Sequence, residues 1–67
     1  MERKDIENGI KSYRYRLEKR KKDAIDAVLE ESYLAAQAAL SDCVAYREVI
    51  GELNFQLACM EEDDDQD

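Results

Sequence analysis

Residues 28–46 read VLEESYLAAQAALSDCVAY, and the place where the chain turns within this stretch decides the fold. Ser41-Asp42 separates two long helical patterns, and both residue types are favoured at the N-cap, the position that opens a helix. We therefore predict a first helix over about residues 3–40 and a second over about residues 43–61. Glu31-Ser32 is the alternative, and a turn there would give two helices of nearly equal length.

The residue composition predicts an all-α fold. The chain has no proline and two glycines, and it is dominated by Ala, Leu, Glu, Lys, Arg and Gln, which favour helix. In the first helix, apolar residues recur at helical spacing and form one stripe. The stripe consists of Ile6, Ile10, Tyr13, Leu17, Ala24, Val28 and Ala35. We expect residues 1–60 to form one αα-hairpin domain, a long helix packed on a shorter one, and residues 61–67 to form an acidic tail.

The length of the chain indicates that this hairpin needs a partner. A domain of 67 residues rarely builds a core worth more than about 3–5 kcal/mol by itself. On one helix, Cys43 and Cys59 would lie about 24 Å apart, which is too far for a disulfide. Without histidine, two thiols do not complete a zinc site, so we predict neither a metal nor a cofactor. Assembly into a helical bundle, with another copy or another protein, is the remaining source of stability.

The second helix carries apolar residues on two faces. The broader face consists of Tyr46, Val49, Ile50, Leu53, Leu57 and Met60, and we predict that it packs on the first helix. The opposite stripe consists of Val44, Gly51, Phe55 and Ala58. A single hairpin covers one of these faces, and exposed apolar patches on small proteins usually mark interfaces. We predict that the second stripe binds a partner, with Gly51 allowing close approach of another helix.

Charge is divided along the chain. Residues 1–22 carry nine Lys and Arg against four acids, whereas residues 23–67 carry one against thirteen. The basic surface consists of Lys11, Arg14, Arg16, Lys19, Arg20 and Lys22, and the acids of the tail are Glu61, Glu62, Asp63, Asp64, Asp65 and Asp67. Two roles for the basic surface are open. It can pair with acids such as Asp42, Glu48 and Glu52, or it can bind the phosphates of nucleic acid, which the net charge of −7 repels at a distance.

The residue types present give no support to catalysis. There is no histidine to act as a base near neutral pH, and there is no glycine-rich phosphate loop. The beginning of the sequence, MERKDIENGI, is charged rather than apolar, and no run approaches the roughly 18 apolar residues of a membrane-spanning helix. We therefore predict that the protein is not an enzyme, does not bind membranes and resides in the cytoplasm.

Two resemblances bear on the function. Residues 42–53 read DCVAYREVIGEL and resemble the pattern D-x-x-x-Y-R-x-x-x-G-x-I/L of small tailed-phage proteins, some of which look like particle or assembly components. Asn54-Phe55 departs from that pattern, which has glycine-leucine there. The size, the hairpin plan and the acidic end resemble Rop, a plasmid-copy-number protein whose dimer is a four-helix bundle that binds paired RNA hairpins.

The function we favour is a non-enzymatic assembly or protein–protein interaction component, phage-encoded, that oligomerises through helix two or docks on a host protein. The basic surface would then meet acidic protein, and the tail would meet a basic surface. The resemblance to phage proteins implies a location in the host cytoplasm or the virion. The alternatives are a Rop-like regulator that binds RNA or DNA, and an acidic inhibitor of a host nucleic-acid-binding protein whose tail mimics phosphate.

Overall fold

The computed structural model is an antiparallel hairpin of two helices. It describes the backbone of residues 2–65 and the side chains of residues 2–60. Helix α1 spans Arg3–Leu29 and helix α2 spans Tyr33–Asp65, and the two pack along their length in a rod with extents of 55 × 14 × 14 Å. The predicted all-α helical hairpin is confirmed.

The position of the turn corrects the predicted helix bounds. The predicted break at Ser41-Asp42, with helices over residues 3–40 and 43–61, is wrong: α1 ends at Leu29 and the chain turns through residues 30–32, at the alternative break. The preference of Ser and Asp for N-caps is a weak local signal that tertiary pairing overrides. A turn at Ser41 would have set about 38 residues against about 19 and left half of the first apolar stripe without a partner helix. The observed turn sets 27 residues against 33, so both stripes pair.

The turn is a Schellman motif, the hydrogen-bonding pattern that often ends a helix. The backbone N–H of Ser32 donates to the carbonyl of Ala27, and that of Glu31 donates to the carbonyl of Val28. Glu31 adopts the left-handed conformation this motif requires, with φ of 63°, where glycine is the usual residue. The carbonyl of Ser32 then accepts from the N–H of Ala36 as α2 begins. The turn thus forms without glycine, the residue that would have marked its position in the sequence.

The contact between the helices follows a seven-residue repeat. On α1 the seam runs through Ile6, Ile10, Tyr13, Leu17, Arg20, Ala24 and Ala27, all buried or half-buried. On α2 it runs through Ala36, Ala39, Cys43, Tyr46, Ile50, Leu53, Leu57 and Met60. These spacings alternate between three and four residues, the pattern of packing in coiled coils and helical bundles. The α1 stripe is therefore as predicted up to Ala24, after which the buried position is Ala27, whereas Val28 and Ala35 are exposed.

The core of the hairpin is thin. The buried apolar residues among those described are Ile6, Ala24, Ala27, Ala36, Ala39 and Ile50. Four of these six are alanines, which remove little apolar surface from water, and burial stabilises at only about 25 cal/mol per Å² of that surface. The single hairpin therefore has a weak hydrophobic core, as expected for its size.

Helix α2 extends into the predicted acidic tail. We expected fraying from about residue 61, because acids at a helix C-terminus oppose the helix dipole. The backbone instead remains helical to Asp65, so the first five residues of the tail continue α2. The side chains of residues 61–65 and the whole of Asp67 lie outside the described part of the chain. The predicted role of the tail stays a prediction.

Candidate interaction surface

Large apolar side chains are exposed along the hairpin, most of them near the turn. Among the described side chains, nine have between 49% and 83% of their surface accessible to solvent. Six of these lie between residues 25 and 40: Ile25, Val28, Leu29, Tyr33, Leu34 and Leu40. The other three are Tyr15, Val44 and Phe55. Single exposed apolar residues are ordinary, but a contiguous group on a small soluble domain is typical of an interface.

A groove between the helices gathers several of these residues on one side of the rod. Its part near the turn is lined by Ala24, Ile25, Val28, Leu29 and Leu40. Its longer part is lined by Arg14, Leu17, Glu18, Lys21, Leu40, Cys43, Val44, Arg47, Ile50, Gly51 and Asn54. Leu40 belongs to both parts, so the groove is continuous. We call this side of the hairpin the groove face.

The groove face has an apolar part and a basic part. The apolar part consists of Ile25, Val28, Leu40 and Val44, and the basic part consists of Arg14, Lys21 and Arg47, with Glu18 among them. On α1 the outward-facing residues of this surface are spaced four, three, four and three from Arg14 to Val28, parallel to the buried seam. That second seven-residue repeat was available in the sequence, but the prediction confined the partner-binding surface to helix two.

Of the two predicted faces of helix two, the broader one belongs to the contact with α1 and the other is exposed. Tyr46, Val49, Ile50, Leu53, Leu57 and Met60 are buried or half-buried, so the prediction that this face packs on the first helix is confirmed. The four predicted partner-binding residues are all exposed: Val44, Gly51, Phe55 and Ala58. Val44 and Gly51 line the groove, whereas Phe55 and Ala58 do not. That these residues bind a partner stays a prediction.

The glycine at which the two helices come close is Gly9 rather than Gly51. A Cβ placed on Gly9 would lie 3.3 Å from Cδ1 of Leu53, a tight contact, whereas a Cβ on Gly51 would have nothing within 4 Å. The absence of a side chain at Gly9 therefore helps the helices approach near their outer ends. Gly51 leaves an open patch on the groove face, so within the single hairpin it has no packing role.

The residues of the predicted basic surface make contacts with different partners. Arg20 hydrogen-bonds to Asp23 on its own helix and to Asp42 on α2, and these bonds, that to Asp23 foremost, raise the pKa of its guanidinium. Arg16 lies over the ring of Tyr13 at 5.2 Å, and that ring in turn packs against Tyr46, with ring centroids 5.9 Å apart. The Arg20–Asp42 ion pair supports the interpretation that the basic stretch meets acids, here within its own chain.

The other basic residues point in several directions. Lys19 lies over the ring of Tyr15 at 5.3 Å, and Arg14 lines the groove. Lys11 and Lys22 are exposed. Arg14, Lys11 and Lys22 make no ion pair with any of the side chains described, residues 2–60. The six predicted residues therefore do not form one continuous basic patch, and only Arg14 belongs to the groove face.

The described residues hold neither a metal-ligating cluster nor a membrane-spanning helix. No group of three or more metal-ligating side chains is found among them. Cys43 and Cys59 are half-buried free thiols on the same helix. None of the described helical segments is long and apolar enough to cross a lipid bilayer. The groove face combines exposed aliphatic side chains with charges beside them.

Comparisons with protein-family models, curated proteins and solved structures give no match to this chain. The function is therefore argued from the geometry of the groove face.

Proposed function

We propose that this protein is a non-enzymatic assembly component that self-associates through its groove face. The observation that carries the proposal is the exposure of Ile25, Val28, Leu40 and Val44, each between 49% and 61%, side by side on one face. About half of each side chain is already covered, so completing its burial is favourable by roughly half of the 1.5–3 kcal/mol that burying a fully exposed one gives. The resemblance of residues 42–53 to a pattern of small tailed-phage proteins, some of which look like assembly components, agrees with this proposal.

The surface area of the chain also supports association. Its accessible surface is 5417 Å², whereas a compact monomer of 7.8 kDa is expected to expose about 4,400 Å². The excess of roughly 1,000 Å² is that of an elongated two-helix rod whose apolar side chains are in part uncovered. An alanine-rich core with this much exposed surface has the features of half of a helical bundle.

The proposal modifies the role of helix two. In the sequence prediction the partner-binding surface lay on helix two alone, whereas the groove face is built from both helices. The alternative of nucleic-acid binding has less support, because three of its six predicted residues, Arg16, Lys19 and Arg20, already contact aromatic rings or acids of the same chain. We therefore propose that the groove face binds protein rather than the phosphates of nucleic acid.

Sedimentation velocity over a concentration series tests the proposal. Reducing conditions are used so that Cys43 and Cys59 cannot form bridges between copies. We expect the wild-type chain to pass from monomer to dimer or larger as its concentration rises, with a melting temperature that rises in parallel. Leu40→Glu should leave a helical chain that stays monomeric at the same concentrations.

Leu34→Glu is the matched control. Leu34 is 83% exposed but lines no part of the groove, so this variant should associate like the wild type. A wild-type chain that is folded and monomeric up to about millimolar concentration would overturn the proposal of self-association. Equal effects of the two substitutions would move the interface away from the groove face.

A further inference from the structure

We infer that two hairpins associate antiparallel across the groove face, about a two-fold axis that passes between Ile25 and Leu40. This inference rests on the proposed function, since it names the partner of the groove face as a second copy and fixes its orientation. It follows from the positions of apolar and charged residues along the rod. In one arrangement of two copies, apolar residues share a level with apolar residues and acids share a level with arginines.

The register of the hairpin gives each residue a level along the rod. Arg20 and Asp42 share a level, because their side chains are in contact at 2.9 Å. From that level, Ile25 lies five residues and Leu40 two residues toward the turn. At 1.5 Å per residue, the midpoint between them lies about 5 Å toward the turn from the Arg20–Asp42 pair. The proposed axis passes through this midpoint, perpendicular to the rod.

A two-fold axis at this point pairs apolar residues with apolar residues. It brings Ile25 of one copy to the level of Leu40 of the other. Val28 lies about 7 Å from the axis on the side of the turn, and Val44 lies about 8 Å from it on the other side. The axis therefore also brings Val28 of one copy to the level of Val44 of the other, so all four exposed side chains of the apolar part share their level with an apolar residue of the other copy.

The same axis brings opposite charges together. Glu30 and Glu31 in the turn lie about 10–11 Å from the axis, and Arg14 and Arg47 lie about 13–14 Å from it on the other side. These distances differ by less than the length of one arginine side chain. The acidic turn of each hairpin thus reaches the two arginines of the other, and complementary charges of this kind favour one orientation over others.

A parallel pair would have the opposite electrostatics. It would set the turn of one copy beside the turn of the other, and residues 23–31 contain four acids and no base. It would also set the two copies of Arg14 and Arg47 side by side. Like charges that face each other across an interface are unfavourable, so the antiparallel pair is the arrangement that the charges select.

Charge reversal on each side of the proposed contact tests the orientation. One variant carries Arg14→Glu and Arg47→Glu, and the other carries Glu30→Lys and Glu31→Lys. Each alone should dimerise about tenfold or more weakly than the wild type in low salt, because four attractions per dimer become repulsions. An equimolar mixture should recover dimers, since each variant then offers the charge that the other requires at both ends.

Arg16→Glu with Lys19→Glu is the matched control. It changes the net charge by the same amount, but these residues lie over Tyr13 and Tyr15 and line no part of the groove. The control should dimerise more tightly than the Arg14 and Arg47 variant, and mixing it with the turn variant should not increase association. Circular dichroism confirms that each chain remains helical, and sedimentation equilibrium measures the dimer.

Two outcomes separate this inference from the proposed function. If the wild type forms dimers but the mixture associates no better than either variant alone, the antiparallel register is wrong and self-association stands. If the wild type itself remains monomeric, the proposed function is wrong and the inference fails with it. Recovery in the mixture is specific to contacts between copies, because contacts within one chain cannot be restored by a second chain.

Discussion

Arg20 Nε and Nη2 both lie 2.9 Å from one carboxylate oxygen of Asp42, a residue on the opposite helix and 22 positions away along the chain. Arg20 occupies a position of the seam where an apolar residue would be expected, and Asp42 lies beside the seam on α2. A third contact, from Nη1 of Arg20 to Asp23, holds the guanidinium in place. This pair is the charged contact between α1 and α2 among the described side chains, so it helps to fix their register.

Removing either member of the Arg20–Asp42 pair should lower the folding stability of the hairpin, and the two losses of stability should not be additive. We expect Arg20→Gln and Asp42→Asn each to lower the urea midpoint, and the double variant to lose less than the sum, as a double-mutant cycle reveals. The coupling should shrink as salt is added, because both side chains are partly exposed. Lys21→Gln is the control, since Lys21 pairs with Glu18 inside α1. Additive losses would show that the pair makes no contribution to closing the hairpin.

The contribution of Arg20 to the stability of the hairpin should not vary with pH near neutrality. Its pKa is raised in the folded chain by hydrogen bonds to Asp23 and Asp42, against a smaller effect of burial. A raised pKa gives stability that is fully present below the ordinary pKa of arginine and is lost only as the pH rises through the raised value. The difference in urea midpoint between wild type and Arg20→Gln should therefore stay constant across neutral and mildly alkaline pH.

Glu31→Gly should stabilise the hairpin by about 1 kcal/mol. Glu31 has φ of 63°, a left-handed conformation that costs non-glycine residues roughly 1–2 kcal/mol and costs glycine almost nothing. Part of the gain is offset by the greater freedom of glycine in the unfolded chain. Glu30→Gly is the matched control, because Glu30 has φ of −84° and gains nothing from glycine. Urea unfolding at one low protein concentration measures both, and a Glu31→Gly variant no more stable than Glu30→Gly would contradict this account of the turn.

Gly51→Ala should also stabilise the chain, again by about 1 kcal/mol. Glycine within a helix costs about that much relative to alanine, and a Cβ on Gly51 would have no neighbour within 4 Å. Gly9→Ala should gain less, because its Cβ would lie 3.3 Å from the tip of Leu53, which must move aside. The comparison is made by thermal unfolding at one protein concentration. Destabilisation by Gly51→Ala would indicate that another helix approaches closely there, as the sequence first led us to predict.

Val44 and Phe55 should differ in their effect on self-association. In the antiparallel pair Val44 lies at the level of Val28 of the other copy, whereas Phe55 lies about 25 Å from the axis and beyond the turn of the other copy. We expect Val44→Glu to weaken dimerisation by tenfold or more and Phe55→Glu to leave it nearly unchanged, as measured by sedimentation equilibrium. Phe55, 70% exposed, would then remain available to a different partner. A strong effect of Phe55→Glu would support an interface along helix two instead.

Sequence reasoning found the residues that meet in the seam more reliably than it found the turn. Ile6, Ile10, Tyr13 and Leu17 follow from helical spacing alone, because apolar side chains on one stripe must be covered. The turn did not follow, because residues 30–32 contain neither glycine nor proline, and the N-cap preference of Ser41-Asp42 pointed elsewhere. Asp42 lies within α2 and accepts hydrogen bonds from Arg20, which no local preference indicates.

The candidate surface was predicted only in part for a similar reason. Val44 and Gly51 were correctly separated from the face that packs on α1, because neither falls on the stripe of Tyr46, Ile50 and Leu53. Ile25 and Leu40 were not assigned to an interface, because their proximity depends on where the chain turns. With the turn at residues 30–32, the first helix ends about eleven residues earlier than predicted, and the exposed residues of both helices come to share one groove.

The sequence by itself determined that the chain is helical, that each helix has an apolar stripe, and that so short a hairpin has little core. These properties depend on residue type and spacing, which are local. Only the tertiary structure decided where the chain reverses, which acid Arg20 meets and which apolar residues stay uncovered. Those outcomes depend on pairing two stripes over their greatest common length, and the free energy of that pairing belongs to both helices together rather than to any segment of the sequence.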